Sequence, residues 1–347
     1  MLFESLILKC TEKLHEQRTS SAIFHLLKGR RSTQTFQDAR LFQLTKFYGI
    51  YPSLRRQTFD EKVHTLQNKS AIQITESNMI AILPEGIRLL CQEEKNVALY
   101  YFHGLKYFQT DQHFYERILI LIQVLTNKKK RHSKYIPIID NRTTLRWMKH
   151  FLSSHTDSIA ALLENVFAEL HMLLSQLPEV EAEMFVDRLT GFKTYGLSEQ
   201  QLARKYELPL IDIPLYFIAI IHQLLKLILE NTSMYPFFYQ LISDLSTSGF
   251  ITKSANETYR LWSQGYSIEK IIGVRNLKES TIQDHFVEIA LYHPTFRIDE
   301  FVDNIKQQQI LDVISSTKDM KLKSIKDKVS SDISYFQIRL IIASKVQ

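Results

Sequence analysis

One pattern of small, hydroxyl and aliphatic residues occurs twice in this chain without a gap. Gly196-Leu197-Ser198 is followed by Leu202-Ala203, Leu208 and Ile213, and Gly265-Tyr266-Ser267 is followed by Ile271-Ile272, Leu277 and Ile282. Equivalent positions are 69 residues apart. The spacing is that of two helices joined by a tight turn. A serine hydroxyl caps the first helix, two aliphatic side chains anchor it, a third fills the turn, and a fourth opens the inward face of the next helix. In the second copy, Ser280-Thr281 is placed to cap a helix with Ile282, Phe286, Ile289 and Ala290 inward and Gln283, Asp284 and His285 outward. Arg275 and Lys278 flank it. The chemistry open to these residues is non-covalent: an amide such as Gln283 pairs with an adenine edge, while Arg and Lys hold phosphates.

The same unit also serves as a plain protein-contact module, and outward Glu279, Asp284 and Glu288 would repel phosphate. Both readings stay open at the level of the motif. In the first copy the second helix would begin at Ile211-Asp212-Ile213-Pro214 and continue apolar on nearly every face. It is expected to be buried and to serve structure or partner binding.

Covalent chemistry finds little support. The nine glycines form no G-x-G and no phosphate-binding loop, and no H-E-x-x-H is present. His150 and His155 are five apart and share a helix face poorly. Glu93-Glu94 beside Cys91 would raise the thiol pKa. Glu179, Glu181 and Glu183 alternate in a run that reads as a solvated face. No enzyme, cofactor or metal site is expected. Cys10 and Cys91, two cysteines in 347 residues, read as buried thiols of a reducing, cytoplasmic compartment.

The elements that must position these residues are mainly α-helical. Residues 1–95 are predicted to form a winged-helix-like domain. Its parts are a helix capped near Thr19-Ser20-Ser21 and ended by Gly29, a second over Asp38–Phe47, and a third after Pro52-Ser53 carrying Phe59, Val63 and Leu66. A hairpin of Ala71–Thr75 and Met79–Leu83 follows, closed by Pro84-Glu85-Gly86. Residues 96–247 read as an all-helical domain with an internal helix-turn-helix. Val97–Phe108 and Phe114–Thr126 are long helical patterns, and Lys128-Lys129-Lys130-Arg131 is a basic loop. The turn Ser246-Thr247-Ser248-Gly249 separates a helix-turn-helix domain at 248–347. There, Lys318, Lys321, Lys323, Lys326 and Lys328 cluster on a further three-helix theme.

The net charge of +6 is unevenly spread. The first 150 residues carry 24 basic and 13 acidic side chains, and residues 151–250 carry 5 and 12. Phosphate contacts are therefore expected toward the N-terminal half, at Arg30, Arg31, Arg55, Arg56 and Lys128–Arg131. The apolar stretch Leu208–Leu229 contains Asp212, His222 and Lys226. Each charge at a bilayer centre costs about 2.5–3.5 kcal/mol, so a core helix is expected and no membrane partner. The N-terminal helix lacks the basic and apolar regions of a signal peptide.

The segment Glu257–Ile289, with Leu261, Gly265, Ser267, Ile271, Leu277, Ser280-Thr281-Ile282 and His285, resembles the helix-turn-helix domain at the C-terminus of some RecQ-type DNA helicases. Ile333–Arg339 resembles the end of that domain. The whole chain is similar to the YpbB family of Gram-positive bacteria, whose members are usually encoded beside a RecQ-type helicase. The resemblance implies an accessory protein in DNA repair or replication, acting with a helicase whose motor is missing here. Three functions are thus expected in order: a non-catalytic DNA-binding adaptor, a scaffold that docks the helicase or a single-stranded-DNA-binding protein, and a transcription regulator.

Overall fold

The computed structural model describes residues 1–93, 98–245, 251–293, 296–317 and 321–345. They divide into two units, neither continuous in sequence. Residues 1–6 and 92–246 form the first, and residues 7–91 and 247–347 the second. The three consecutive domains expected at 1–95, 96–247 and 248–347 follow chain order. The structure groups the first and last of these segments together, and the expected junction at Ser246–Gly249 lies outside the described residues. Helix α1 (Leu2–Leu14) contributes residues to both units.

The second unit opens with α2 (Ser20–Lys28), α3 (Thr33–Leu41) and α4 (Arg56–Asn68). Strands β1 (Ile72–Ile74) and β2 (Ile80–Ile82) then pair antiparallel, with Gln73 opposite Ala81. This is the expected winged-helix order. Gly29 ends α2 in the left-handed conformation, φ 68°, and Phe59, Val63 and Leu66 are the buried stripe of α4. Two boundaries differ from expectation. Ser32 accepts the Thr35 N–H and starts α3 early, so Thr45–Phe47 becomes a separate 3-10 turn. Pro84 does not close the hairpin but opens α5 (Pro84–Glu93), as suits a residue without an N–H to satisfy.

The first unit contains α6 (Ala98–Tyr101), α7 (Gly104–Tyr107), α8 (Thr110–Lys129), α9 (Arg142–Ser154) and α10 (Ile159–Leu174). It continues with α11 (Glu179–Asp187), α12 (Glu199–Lys205), α13 (Ile213–Glu230) and α14 (Pro236–Gln240). The helix expected over Val97–Phe108 is broken, because the His103 N–H leaves the helical ladder and donates to His222 Nδ1 at 3.0 Å. Lys128 and Lys129, expected in a loop, are the last turn of α8, where cations complement the helix dipole.

Helix α13 explains how an apolar segment keeps its polar residues. The stretch Leu210–Glu230 is long and apolar enough to cross a membrane by length and composition, yet 67% of its most apolar 18-residue window is buried inside the fold. The buried Asp212 carboxylate accepts the N–H groups of Leu2 and Phe3 at 3.0 and 2.9 Å, which caps the start of α1. Buried His222 accepts from His103 at Nδ1, so its Nε2 carries the proton that faces Asp111 Oδ2 at 3.3 Å. Gln223 donates to Glu181 at 2.7 Å, and Lys226 reaches the surface. Every polar side chain on the buried face has a partner, as burial requires.

The second unit is completed by α15 (Lys253–Ser263), α16 (Ile268–Arg275), α17 (Glu279–Tyr292), α18 (Asn304–Ser316), α19 (Leu322–Lys326) and α20 (Tyr335–Lys345). Helix α17 lies at its centre, packed by α15 and α16, by α20, and by α3. Phe36 of α3 meets Tyr292 edge-on with ring centres 5.5 Å apart. Of the two cysteines, Cys10 is buried and its thiol is pushed up to about 12 by desolvation. Cys91, expected to be buried, is exposed on the last turns of α5.

Two glycines of the repeat region predict opposite outcomes. A Cβ at Gly196 would drive into the Arg188 carbonyl, whereas a Cβ at Gly273, on α16, meets nothing within 4 Å. In thermal unfolding, Gly196→Ala should destabilise by about 1–3 kcal/mol, the cost of overpacking. Gly273→Ala should stabilise by about 0.5–1 kcal/mol through helix propensity.

Candidate nucleic-acid interface

The 69-residue repeat persists down to single backbone bonds. Ser198 caps α12 by accepting the Gln201 N–H at 3.3 Å, and Ser267 caps α16 by accepting the Lys270 N–H at 3.3 Å. In the turns, Glu207 and Asn276 both adopt positive φ, 53° and 47°. The following N–H of Leu208 or Leu277 then returns to the carbonyl of Ala203 or Ile272. Leu202 and Ile271, and likewise Ile213 and Ile282, are fully buried anchors. The two copies are therefore the same helix-turn-helix, α12–α13 in one unit and α16–α17 in the other.

Their surroundings differ. Helix α13 is buried on most sides, as its composition predicts. In the second copy the three helices are tied by one buried hydroxyl. Arg275 donates to the Ser254 carbonyl at 2.7 Å, to Ser254 Oγ at 3.0 Å and to Thr258 Oγ1 at 2.6 Å. Thr258 Oγ1 lies 2.8 Å from His285 Nδ1. A guanidinium only donates, so Thr258 accepts from Arg275, while the direction of its bond to His285 follows the imidazole tautomer. The pKa of the ring is lowered by desolvation, then by Arg275, against a smaller opposing pull from Asp284.

This geometry corrects several expectations for the recognition helix. His285, expected outward, is 7% exposed and faces α15. Arg275 is a clamp within the fold rather than a phosphate ligand. Ser280 and Thr281 do not cap α17. The helix already begins at Glu279, with Lys278 at the cap position, so both hydroxyl residues sit in its first turn. Gln283 donates to Glu279 at 3.0 Å. Asp284 pairs with Arg339 of α20 and lies 3.5 Å from the Thr33 hydroxyl of α3. Glu288 accepts the Thr252 N–H at 2.5 Å. Exposed Lys278, Glu279 and Ser280 thus leave a short, mixed-charge tip on a helix covered along most of its length.

The N-terminal arginines are better placed. Arg30 Nη1 lies 2.8 Å from His25 Nε2, and Arg56 donates to Ser21 at 2.9 Å and lies over Phe24, 5.2 Å from its ring centre. Lys28 stands on the same ring at 5.8 Å. The charges of Arg30 and Arg56 both act on His25 and add to desolvation in lowering its pKa. Arg55 precedes α4 and is exposed. Arg56 is also held bidentately by Asp60. Arg31 belongs to a different neighbourhood, where its charge acts on the buried phenols of Tyr48 and Tyr292. Lys128, Lys129, Lys130 and Arg131 are exposed in the first unit, with Lys129 3.5 Å from Glu164.

Regrouping the chain also regroups its charge. The second unit carries 27 basic and 19 acidic side chains, the first 16 and 18. The helix-turn-helix therefore shares its unit with the basic N-terminal segment. Sequence order hides this, because the pairing of α3 with α17 and α20 is non-local.

A three-helix core with a capped helix, a left-handed turn residue and a second packed helix defines a helix-turn-helix protein. A family model described as a helix-turn-helix domain matches residues 254–342, from early α15 into α20. The chain is 32% identical to protein YpbB of Bacillus subtilis (strain 168) over 348 aligned positions, covering 99% of this chain and 98% of that relative. It belongs to the YpbB family. No solved structure matches it.

The hydroxyl clamp yields two predictions. Thr258→Val keeps the shape but leaves Arg275 short of an acceptor and His285 Nδ1 short of its hydrogen-bond partner. It should cost about 2–6 kcal/mol in chemical unfolding, from two groups at about 1–3 each, while Thr258→Ser should cost about 1 kcal/mol for the lost methyl. The second concerns pH. His285 has a lowered pKa in the fold, so the unfolded chain binds its proton first, below about pH 6.5. Its contribution to stability is complete above that pH and is lost as pH falls. His285→Gln should flatten the decline in melting temperature between about pH 7 and 5, and His25, which shifts in the same direction, is left as the remaining slope.

Proposed function

We propose that this protein is a non-catalytic, cytoplasmic DNA-binding adaptor that acts with a RecQ-type helicase in DNA repair or replication. The observation that carries the DNA part is the convergence of Lys28, Arg30 and Arg56 on Phe24 and His25, with Arg55 exposed at the start of α4. A set of fixed guanidinium and ammonium groups beside a helix N-terminus suits a phosphate backbone. The helix-turn-helix match at 254–342 supports the same class. The helicase partnership rests on the family resemblance, and docking of a single-stranded-DNA-binding protein is its nearest variant.

A protein scaffold without its own DNA contact is the second reading, and one observation favours it. In the first unit, α8, α10 and α11 border an apolar groove of about 850 Å³, beside which Phe167 is 65% and Val186 50% exposed. Glu179 and Glu183 stand one helical turn apart on its edge, which suits a partner segment bearing aliphatic and basic side chains. A transcription regulator, the third reading, would bind a palindrome as a symmetric dimer.

Binding of forked, duplex and single-stranded DNA across a salt series separates these readings. Arg30→Ala with Arg55→Ala should lower the slope of log affinity against log salt by about 1.8 for duplex, two phosphate contacts at about 0.9 each. Absence of binding to all three DNAs at about 50 mM salt, where phosphate contacts are strong, would remove the adaptor reading. Capture of the helicase from nuclease-treated extract, lost on Phe167→Asp, would then support the scaffold.

A further inference from the structure

Two adjoining pockets of the second unit meet at Phe296-Arg297, and neither is used by the arginine cluster described above. The first, about 540 Å³, lies at the turn between α15 and α16 and is bordered by the half-buried rings of Tyr259, Trp262, Tyr266 and Phe296. The second, about 510 Å³, is polar and is bordered by Arg40, His293, Arg297 and Lys345. Both are lined by Arg297, whose side chain is mostly in solvent. Acidic groups are present too. Asp299 is engaged by Gln307 at 2.9 Å and by Arg297 at 3.6 Å, and Glu300 stands exposed on the rim of the aromatic pocket.

An aromatic cavity that shares a lining arginine with a cationic one is the arrangement that an unpaired nucleotide requires: a flat ring against side-chain rings, and a phosphate one sugar away on guanidinium and ammonium groups. The same pairing is poorly suited to duplex, whose bases are stacked on one another and present only their edges. We propose that the second unit holds an unpaired nucleotide of single-stranded DNA, its base among Tyr259, Trp262, Tyr266 and Phe296 and its phosphate between Arg297, Arg40 and Lys345. The site rests on the DNA reading and deepens it by selecting the single-stranded form. It also gives the helix-turn-helix domain a nucleic-acid surface away from the covered length of α17.

The chain contains two tryptophans, so Trp147→Phe leaves Trp262 as the sole indole reporter. In that background, oligo(dT) should quench the Trp262 emission, and an abasic oligonucleotide of the same length should not. Arg297→Ala should weaken the quenching titration about tenfold and reduce its salt slope by about 0.7, the value for one contact on a single strand. Tyr266→Ala should weaken it about tenfold as well, through loss of stacking. Circular dichroism of both variants checks that the fold is kept. Equal quenching by the abasic strand, or titrations unchanged in both variants, would overturn the site. Forked or duplex DNA that still binds through Arg30 and Arg55 without changing Trp262 emission would overturn it while leaving the DNA reading intact. Absence of any DNA binding would remove both.

Discussion

The hydroxyl of Thr258 sets the geometry on which the second helix-turn-helix depends. It accepts from Arg275 on α16 and is hydrogen-bonded to His285 on α17, while its own helix, α15, supplies Ser254 to the same guanidinium. Three helices are thus held by one charge-assisted network that is closed to water at Thr258. Two consequences follow. The guanidinium of Arg275 keeps its charge, but its N–H groups are engaged by carbonyl and hydroxyl oxygens inside the unit. The imidazole of His285 is held facing inward and cannot read a base.

The first copy shows that the turn does not need this network. Its positions equivalent to Thr258, Arg275 and His285 are Leu189, Tyr206 and Tyr216. Tyr206 donates instead to Asp187 at 2.8 Å, and Lys205 reaches the same carboxylate at 2.5 Å. What both copies share is the serine cap, the buried aliphatic anchors and the left-handed turn residue, Glu207 or Asn276. The repeat is therefore a backbone solution to joining two helices through a tight turn, and its polar decoration varies with what packs against it. A motif of this kind specifies a fold and is silent about its ligand.

That distinction explains what could be read from the sequence. Caps, turns and apolar stripes are local, and Ser198, Ser267, Gly29, the β1–β2 hairpin and the buried face of α4 stand where their spacing puts them. The buried character of α13 was equally legible, because it is apolar on nearly every side. The fate of Arg275, Asp284 and His285 was not, since it depends on α15, α20 and α3, elements up to 251 residues away in the case of Thr33 and Asp284. Helical periodicity assigns a residue to a face but does not say whether a second layer covers that face. A signal for His285 did exist: Thr258 and His285 both fall on inward stripes once Ile282, Phe286 and Ile289 are aligned, so a polar pair across two packed helices was available to be noticed.

Charge has to be weighed by unit rather than by segment. Along the chain the helix-turn-helix region is almost balanced, with 14 basic and 12 acidic side chains in residues 251–347. The fold adds to it the segment 7–91, which carries 13 basic and 7 acidic side chains, so the matched domain acts within a distinctly positive body. Electrostatic attraction at distances near the Debye length, about 8–10 Å at physiological salt, sums over such a body and not over sequence neighbours. Nucleic-acid attraction can therefore belong to the second unit as a whole even though α17 offers few contacts of its own. The first unit, with slightly more acidic than basic side chains, adds nothing to that attraction by its net charge. Charge is thus divided between the two units and not between the two ends of the sequence.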